Sequence, residues 1–187
     1  MNSMHQQRNP VGAIETVTRP FDPRRQRGAS LLEAIAYLGV AAVVVLGAVS
    51  LLNGAFGSAK ANQTSEEVVS LRTAVRKLYL GQTYGTDNNM NTALVAANVV
   101  PSTLTRGDAG SITNSWGGAV TVTGNTATFT ISYAGLPKDV CMNVVSGASG
   151  WSSINQGNKK VESFPVKAAD AEGVCNGTTN AVTFTAS

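Results

Sequence analysis

Residues 24–52 read RRQRGASLLEAIAYLGVAAVVVLGAVSLL, and this stretch decides how the rest of the chain is organised. It consists of a basic cluster, one glycine and a long apolar run that holds a single carboxylate, Glu33. Residues 34–59 contain no charged side chain, and an apolar run longer than about 18 residues is typical of a membrane-spanning helix. The preceding arginines predict a cytoplasmic N-terminus. We therefore expect the chain beyond this run to lie outside the cytoplasm.

The net charge of the chain comes from the residues before the apolar run. Residues 1–28 hold five arginines and two acidic residues, which gives the whole net charge of +3, and they hold the only histidine, His5. The neutral remainder argues against nucleic-acid binding, because such binding requires basic side chains that neutralise phosphates. Residues 29–187 also contain no phosphate-binding loop and no nucleophile motif. The sequence thus predicts no catalytic residue, no metal and no cofactor.

Hydrophobic periodicity predicts one long helix followed by a head domain. No proline occurs in residues 24–100, and we expect a continuous helix over residues 29–80. Beyond Lys60 the apolar side chains recur at helical spacing on one face, with polar side chains on the other. The apolar face comprises Val68, Leu71, Val75, Leu78 and Tyr79, and the polar face Glu66, Ser70, Thr73 and Lys77. Residues 29–60 are therefore the predicted transmembrane part and residues 61–187 the predicted head.

The head is predicted to be α+β, with an antiparallel sheet packed on the apolar face of the helix. Turn residues and alternation define its expected elements. In chain order these are a loop over residues 81–91, a helix over residues 92–100 capped by Thr92, a strand over residues 119–123, a turn at Gly124 and Asn125, a strand over residues 126–133, a helix over residues 136–145 with Pro137 in its first turn, a loop over residues 146–158 and a closing strand over residues 181–186.

The two cysteines, Cys141 and Cys175, both lie in the predicted head. An even number of cysteines beyond a membrane segment favours a disulfide, because extracytoplasmic compartments are oxidising. Two buried free thiols are the alternative.

A secretory signal has a cleavage site with small residues after its apolar run. In this sequence the small residue Gly28 lies directly before the run instead. Cleavage after Gly28 would remove the arginines and leave the apolar helix attached to the mature chain. The sequence GASLLE, residues 28–33, resembles the processing site of type IV prepilins. In that family a membrane peptidase cuts after the glycine, methylates the new N-terminus and leaves a glutamate at the fifth mature position. The resemblance implies a leader over residues 1–28, N-methylation of Ala29 and an assembly role for Glu33.

The resemblance extends over most of the chain and is to the type IVb class. It rests on the 28-residue leader, a first mature residue other than phenylalanine, and the segments TALVAANVVPSTL, NSWGGAVTV and LPKDVC, which look like those of conjugative thin-pilus and colonisation pilins. Ala29 is smaller than the Met, Leu or Trp often found at that position. The family implies a pilin fold whose loop between Cys141 and Cys175, called the D-region, presents a variable surface.

The same resemblance implies a function and partners. It implies a major structural subunit that starts in the inner membrane as a prepilin, is processed by a prepilin peptidase, and is polymerised by an assembly machinery into a homo-oligomeric surface filament. Such filaments serve adhesion, aggregation or conjugative mating contact, in which a cell-surface receptor is a further partner.

The carboxylate of Glu33 has a physical reason to take part in assembly. A charge in a membrane helix costs about 2.5 to 3.5 kcal/mol at mid-bilayer and less near the edge, so it favours a partner of opposite charge. The new α-amino group of Ala29 in a neighbouring copy would supply that charge and fix the register of an apolar bundle. Alternatively, Glu33 lies at the headgroup level or pairs with its own N-terminus.

Two other functions fit parts of the sequence. One is a minor pilin or pseudopilin of a secretion system. The other is a secreted binding module that begins at Asn62, because residues 59–61 read AKA, a possible signal-peptidase site after the apolar run. The length of the run argues against the second, since a signal core has only about 7 to 15 apolar residues.

Several head residues allow a sharper and a plainer interpretation. Trp116 and Trp151 are either stacking platforms for sugars or core anchors, with the core favoured for Trp116 and neither favoured for Trp151. Asp87 and its neighbouring asparagines could bind calcium, but one carboxylate is too few, so a polar loop is favoured. Lys159 and Lys160 are predicted to lie in a solvated turn.

Overall fold

The computed structural model of the protein describes residues 30–187. The predictions for the leader, including Gly28 and Ala29, lie outside the described residues. The described residues divide into two units, residues 30–43 and residues 44–187. The first helix, α1, has 48 residues and passes through both units.

Four helices and eight strands make up residues 30–187. They are α1 (Leu31–Leu78), β1 (Thr86–Asn89), α2 (Asn91–Ala96), β2 (Thr105–Arg106), a 3-10 turn (Asp108–Gly110), β3 (Ile112–Thr113), β4 (Val120–Asn125), β5 (Thr128–Pro137), α3 (Lys138–Ser146), β6 (Ser153–Gln156), β7 (Lys159–Val161), α4 (Ala168–Val174) and β8 (Thr179–Ala186). Six strands form one sheet in the order β1-β4-β5-β8-β6-β7, and β2 pairs with β3 separately. Every described strand pair is antiparallel, which confirms the predicted α+β class.

Within residues 30–187, α1 is the one helix whose length and composition suit a membrane crossing, and its most apolar window has a mean hydropathy of 2.5. The predicted start of the helix at Ala29 lies outside the described residues. Its end falls at Leu78 instead of Leu80, because Tyr79 and Leu80 enter a turn.

The C-terminal part of α1 packs on the sheet as predicted. All but one of its buried side chains recur in steps of three and four residues, so they form one stripe. The stripe comprises Ala61, Thr64, Val68, Leu71 and Val75. It faces a sheet interior that includes Val122, Phe129, Ile131, Val182 and Phe184, all fully buried. Glu66, Ser70, Thr73 and Lys77 are exposed, as the sequence predicts.

The turn of the β4–β5 hairpin differs from the prediction. It lies at Thr126 and Ala127, and Gly124 and Asn125 belong to β4. The glycine serves a close backbone approach, because a Cβ at Gly124 would overlap the carbonyl of Tyr84. The Gly-Asn pair predicted a turn, but the glycine lies within the strand because the neighbouring backbone leaves no room for a side chain there.

Helix α2 starts one residue earlier and ends four residues earlier than predicted. Thr92 is not its cap, since the Asn89 side chain accepts a hydrogen bond from the Asn91 amide at 3.0 Å. Asn98 ends the helix with a φ of 54°, and the amide of Val99 donates back to the Leu94 carbonyl at 3.2 Å. This is a Schellman-type ending, which asparagine can adopt in place of glycine.

The second half of the head contains more regular structure than predicted. Strand β5 runs on to Pro137 because a bulge after Tyr133 lets Leu136 pair with Asn180, so α3 begins only at Lys138. Strand β1 lies within the predicted loop over residues 81–91, and β6 within the one over residues 146–158. Helix α4 was not predicted, because its seven residues are too few to show a helical period.

Candidate assembly and display regions

Glu33 lies in the first turn of α1, in the unit formed by residues 30–43. Its neighbours Leu31 and Leu32 are 80% and 79% exposed. Among residues 30–187, no lysine or arginine pairs with Glu33. The predicted assembly residue thus stands on an apolar helical surface, and its predicted partner at Ala29 lies outside the described residues.

In the second unit, apolar side chains of α1 are exposed between residues 44 and 56. Leu46, Leu51 and Phe56 are 62% to 79% exposed. Cover from the head begins at Gly57, where an added Cβ would lie 3.7 Å from Oδ2 of Asp139 in α3. Contiguous apolar surface of this extent marks a site of contact with lipid or with other protein.

Trp116 lies over α1 where the helix enters the head. Its indole Nε1 donates to Oγ1 of Thr64 at 3.4 Å, and the ammonium of Lys60 lies 4.9 Å from its ring centre. The ring is half-buried against the core. The plainer interpretation of Trp116, a core anchor beside a tight turn, is confirmed.

The turn that carries Trp116 is held by Asn114. Its side-chain oxygen accepts from the amides of Trp116 and Gly118, both at 2.9 Å, and its side-chain nitrogen donates to the carbonyl of Ala134 at 2.8 Å. Such asparagine bonding fixes a tight turn without help from regular structure. Sequence reasoning identified the NSWGG segment but not this role of its asparagine.

Arg72 fastens the loop before β6 to α1. Its Nη1 donates to the carbonyls of Ser149 and Gly150 at 3.0 and 2.7 Å, and its guanidinium lies 4.7 Å from the ring centre of Trp151. Desolvation, followed by repulsion from Arg76, lowers the pKa of Arg72 below its usual range. Sequence reasoning missed Arg72, because a lone arginine on a polar helical position carries no signal.

Trp151 is only 6% exposed and its ring lies 5.2 Å from that of Phe184. The hypothesis that Trp151 is a sugar-stacking platform is therefore wrong. Its loop is rich in serine and glycine, yet the indole packs between Phe184 and the guanidinium of Arg72.

Cys141 and Cys175 form a disulfide with Cα atoms 5.8 Å apart, as predicted, and the alternative of two free thiols is excluded. The bridge joins α3 to the residue that follows α4, so its loop contains β6, β7 and the whole of α4. Closure of a loop of this length stabilises by about 3 to 4 kcal/mol in the chain-entropy description.

The surface of the disulfide-closed loop carries its charged side chains outwards. Lys159 and Lys160 are exposed as predicted, but they lie on strand β7 and the turn falls at Gly157 and Asn158. Lys160 pairs with Glu162 at 2.6 Å. Next to the bridge, the buried Asn180 accepts from the amide of Gly177 at 3.0 Å and fixes the turn into β8.

Buried polar groups also lie between α1 and the sheet. Glu67 is 3% exposed and accepts from the side-chain amide of Gln63 at 2.8 Å. Tyr133 is fully buried, and its hydroxyl has no hydrogen-bond partner among residues 30–187. Burial, with a smaller contribution from the Glu67 carboxylate, raises the pKa of Tyr133 far above its usual range. The helical period did not predict Glu67 as buried.

No group of three or more metal-ligating side chains occurs among the described residues. The plainer interpretation of the asparagine-rich segment remains a prediction, because the side chains of Asp87 and Asn88 are not described.

Known proteins resemble this chain in sequence and in fold. The family model described as PilS N terminal matches residues 58–187. The major structural subunit of bundle-forming pilus from Escherichia coli O127:H6 (strain E2348/69 / EPEC) is 28% identical over 194 residues, which cover 90% of this chain and 98% of that protein. Its counterpart from Escherichia coli O111:H- gives the same values.

The crystal structure of type IV b pilin from Salmonella typhi matches in fold. It has a TM-score of 0.51 and 24% sequence identity, and the match covers 65% of this chain and 94% of that one. The long helix, the antiparallel sheet and the disulfide-closed region are thus those of a pilin fold. The chain belongs to the PilS family, and its fold is that of a type IVb pilin.

Proposed function

We propose that this chain is the major structural subunit of a type IVb pilus and polymerises through its N-terminal helix into a surface filament. The observation that carries the proposal is the exposure of apolar side chains of α1, such as Leu31 and Leu38 in one unit and Leu46 and Phe56 in the other. Two relatives named as major structural subunits of a pilus support it. Such a surface requires lipid before assembly and other copies of the chain afterwards.

Proteolytic processing prepares the chain for its transfer from the membrane to the filament. A prepilin peptidase cuts after Gly28, the new α-amino group of Ala29 is methylated, and residues 29–60 hold the subunit in the inner membrane. An assembly machinery then moves the helix from lipid into the filament core. Residues 61–187 form the head that the filament displays, which gives the protein an inner-membrane stage and an extracellular stage.

Glu33 sets the register of the assembled helices. Its carboxylate lies among exposed leucines, and among residues 30–187 it pairs with no basic side chain. The N-terminal amine of an adjacent copy neutralises it as the helix leaves the membrane, and a pair of buried charges tolerates few alternative registers.

Contact with other cells or filaments is made by the displayed head. The disulfide-closed loop between Cys141 and Cys175 presents exposed charged residues, including Lys159 and Glu162. Adhesion, aggregation or conjugative mating contact through a cell-surface receptor follows from this display.

The N-terminus of the mature protein tests the proposal. N-terminal sequencing and intact mass should give a start at Ala29 with one added methyl group. Gly28→Trp should leave the precursor uncut in the membrane. A start at Asn62 would instead define a secreted module, although Ala61 is helical and 2% exposed, which disfavours cleavage there in the folded head.

The place of the chain in a filament is a separate measurement. Gold-labelled antibody to the head should decorate filaments along their whole length, as a major subunit requires. Labels confined to rare positions would identify a minor pilin, and cells without labelled filaments would contradict the polymerisation.

A further inference from the structure

Lys60 and Trp116 form a cationic and aromatic pair at the edge of the head from which the apolar helix emerges. Lys60 is the first charged residue after the uncharged residues 34–59. Its side chain is exposed, and the ring beneath it is half-buried. Both residues lie in the unit formed by residues 44–187, so their contact of 4.9 Å belongs to one body.

The uncharged run before Lys60 is long enough to cross a bilayer. Residues 34–59 are 26 residues without a charged side chain, and a membrane-spanning helix needs about 20 apolar residues. When this run lies in the bilayer, Lys60 is the first charged side chain at its extracytoplasmic end.

We propose that Lys60 and Trp116 are an interfacial anchor that seats the head on the phospholipid headgroups of the outer leaflet of the inner membrane before assembly. The inference rests on the membrane stage of the proposed function. Tryptophan is enriched in the headgroup layer, and the Trp116 ring brings no unpaired N–H to the lipid because Thr64 accepts it. Lysine supplies a cation to the phosphates while its alkyl stem stays on apolar surface.

The contacts of the pair leave it suited to lipid. The indole N–H of Trp116 is already directed to Thr64, so the ring keeps one fixed orientation when the head meets the membrane. Lys60 forms no ion pair within the described part of the chain, which leaves its ammonium available to phosphate.

The head carries both acidic and basic side chains near Gly57 and Lys60, where the anchor would meet the membrane surface. Asp139 lies near α1 at Gly57, and lipid phosphates would repel its carboxylate. The adjacent Lys138 forms an ion pair with Glu172 at 3.9 Å. Lys60 is therefore the cation on α1 that can offset Asp139 at the membrane surface. An anchor of this kind holds the head at a fixed depth until extraction begins.

Depth-dependent fluorescence quenching tests the anchor. The full mature chain is placed in phosphatidylcholine–phosphatidylglycerol vesicles whose lipids carry bromine either near the headgroup or near the end of the acyl chain. Emission of Trp116 should be quenched more by the shallow bromine than by the deep one. Trp151 is buried and gives an unquenched background, so Trp116→Phe should remove the quenching.

The role of the cation is tested by Lys60→Glu, which should reduce the shallow quenching of Trp116. Lys77→Glu makes the same charge change further along the exposed side of α1 and should leave the quenching unchanged. Equal effects of the two variants would overturn the role of Lys60.

Flotation with the vesicles separates this inference from the proposed function. Chains that float while Trp116 is not quenched, or is quenched more by the deep bromine, would overturn the anchor and leave membrane insertion of α1 intact. Chains that fail to float would overturn the membrane stage itself, and the anchor with it.

Discussion

The hydroxyl of Tyr133 is buried between α1 and the sheet without a hydrogen-bond partner among residues 30–187. Such a group loses its hydration and gains no compensating bond. We expect Tyr133→Phe to leave the free energy of unfolding at pH 7 unchanged or to raise it by up to about 1 kcal/mol. Urea unfolding of the detergent-solubilised chain, followed by near-UV circular dichroism, measures this change. A loss of more than about 1 kcal/mol would show that the hydroxyl is bonded.

The raised pKa of Tyr133 also predicts a pH dependence. Its pKa is higher in the folded state than the ordinary value of 10.0. The unfolded chain therefore ionises first, and the contribution of the neutral phenol, complete below about pH 10, is lost as pH rises above that value. Unfolding curves at pH 8 to 11 should show a smaller alkaline loss for Tyr133→Phe than for the wild type. Tyr79→Phe, at a half-buried tyrosine, should retain the wild-type loss.

Arg72 makes a contact that lysine cannot reproduce. Its Nη1 donates to two carbonyls while its planar guanidinium lies over the ring of Trp151, whereas an ammonium is a point charge without a planar face. Arg72→Lys should lower the free energy of unfolding by about 1 to 2 kcal/mol and speed amide hydrogen exchange in residues 147–152. Arg76→Lys is the matched control, because Arg76 is exposed and makes one described hydrogen bond, to Ser187. Equal effects of the two substitutions would show that the loop is held by something other than Arg72.

Two glycines in regular elements have opposite surroundings, so their substitution by alanine measures the effect of close packing apart from that of helix propensity. Gly124 lies in β4 against the backbone of Tyr84, whereas Gly173 lies in α4 with open space around it. Gly124→Ala should cost about 1 to 3 kcal/mol through overpacking, and Gly173→Ala should be neutral or stabilising by up to about 1 kcal/mol. Thermal unfolding of both variants measures the difference. A tolerated alanine at Gly124 would mean that β1 detaches from β4 at little cost.

The elements that the sequence predicted well are those whose hydrophobic pattern repeats over many residues. The amphipathic half of α1 and the hairpin strands β4 and β5 repeat their patterns over many residues. The missed elements are short and depend on distant partners. Strand β6, for example, exists because β8 and β7 pair with its two edges. A four-residue strand in a polar segment carries almost no local signal.

The candidate sites divide in the same manner. The even number of cysteines allowed the disulfide to be predicted from the sequence. Glu33 is noticeable as the one carboxylate in an apolar run, and its assembly role stays a prediction. Arg72 and Glu67 are ordinary residues of a charged helix. Their roles arise only when the chain returns to α1 after more than 60 residues, as the bonds from Arg72 to Ser149 and Gly150 illustrate.

We expect assembly of the proposed filament to depend on the carboxylate of Glu33. Glu33→Ala should be processed and retained in the membrane, because the helix becomes more apolar, yet it should assemble few or no filaments since the register is no longer fixed. Sheared filament yield by immunoblot, with total cell protein as reference, measures the effect. Glu66→Ala removes an exposed carboxylate from the head half of the same helix and should assemble normally. Normal filaments from Glu33→Ala would show that the apolar surface alone sets the register, while an unprocessed Glu33→Ala precursor would move its role to cleavage.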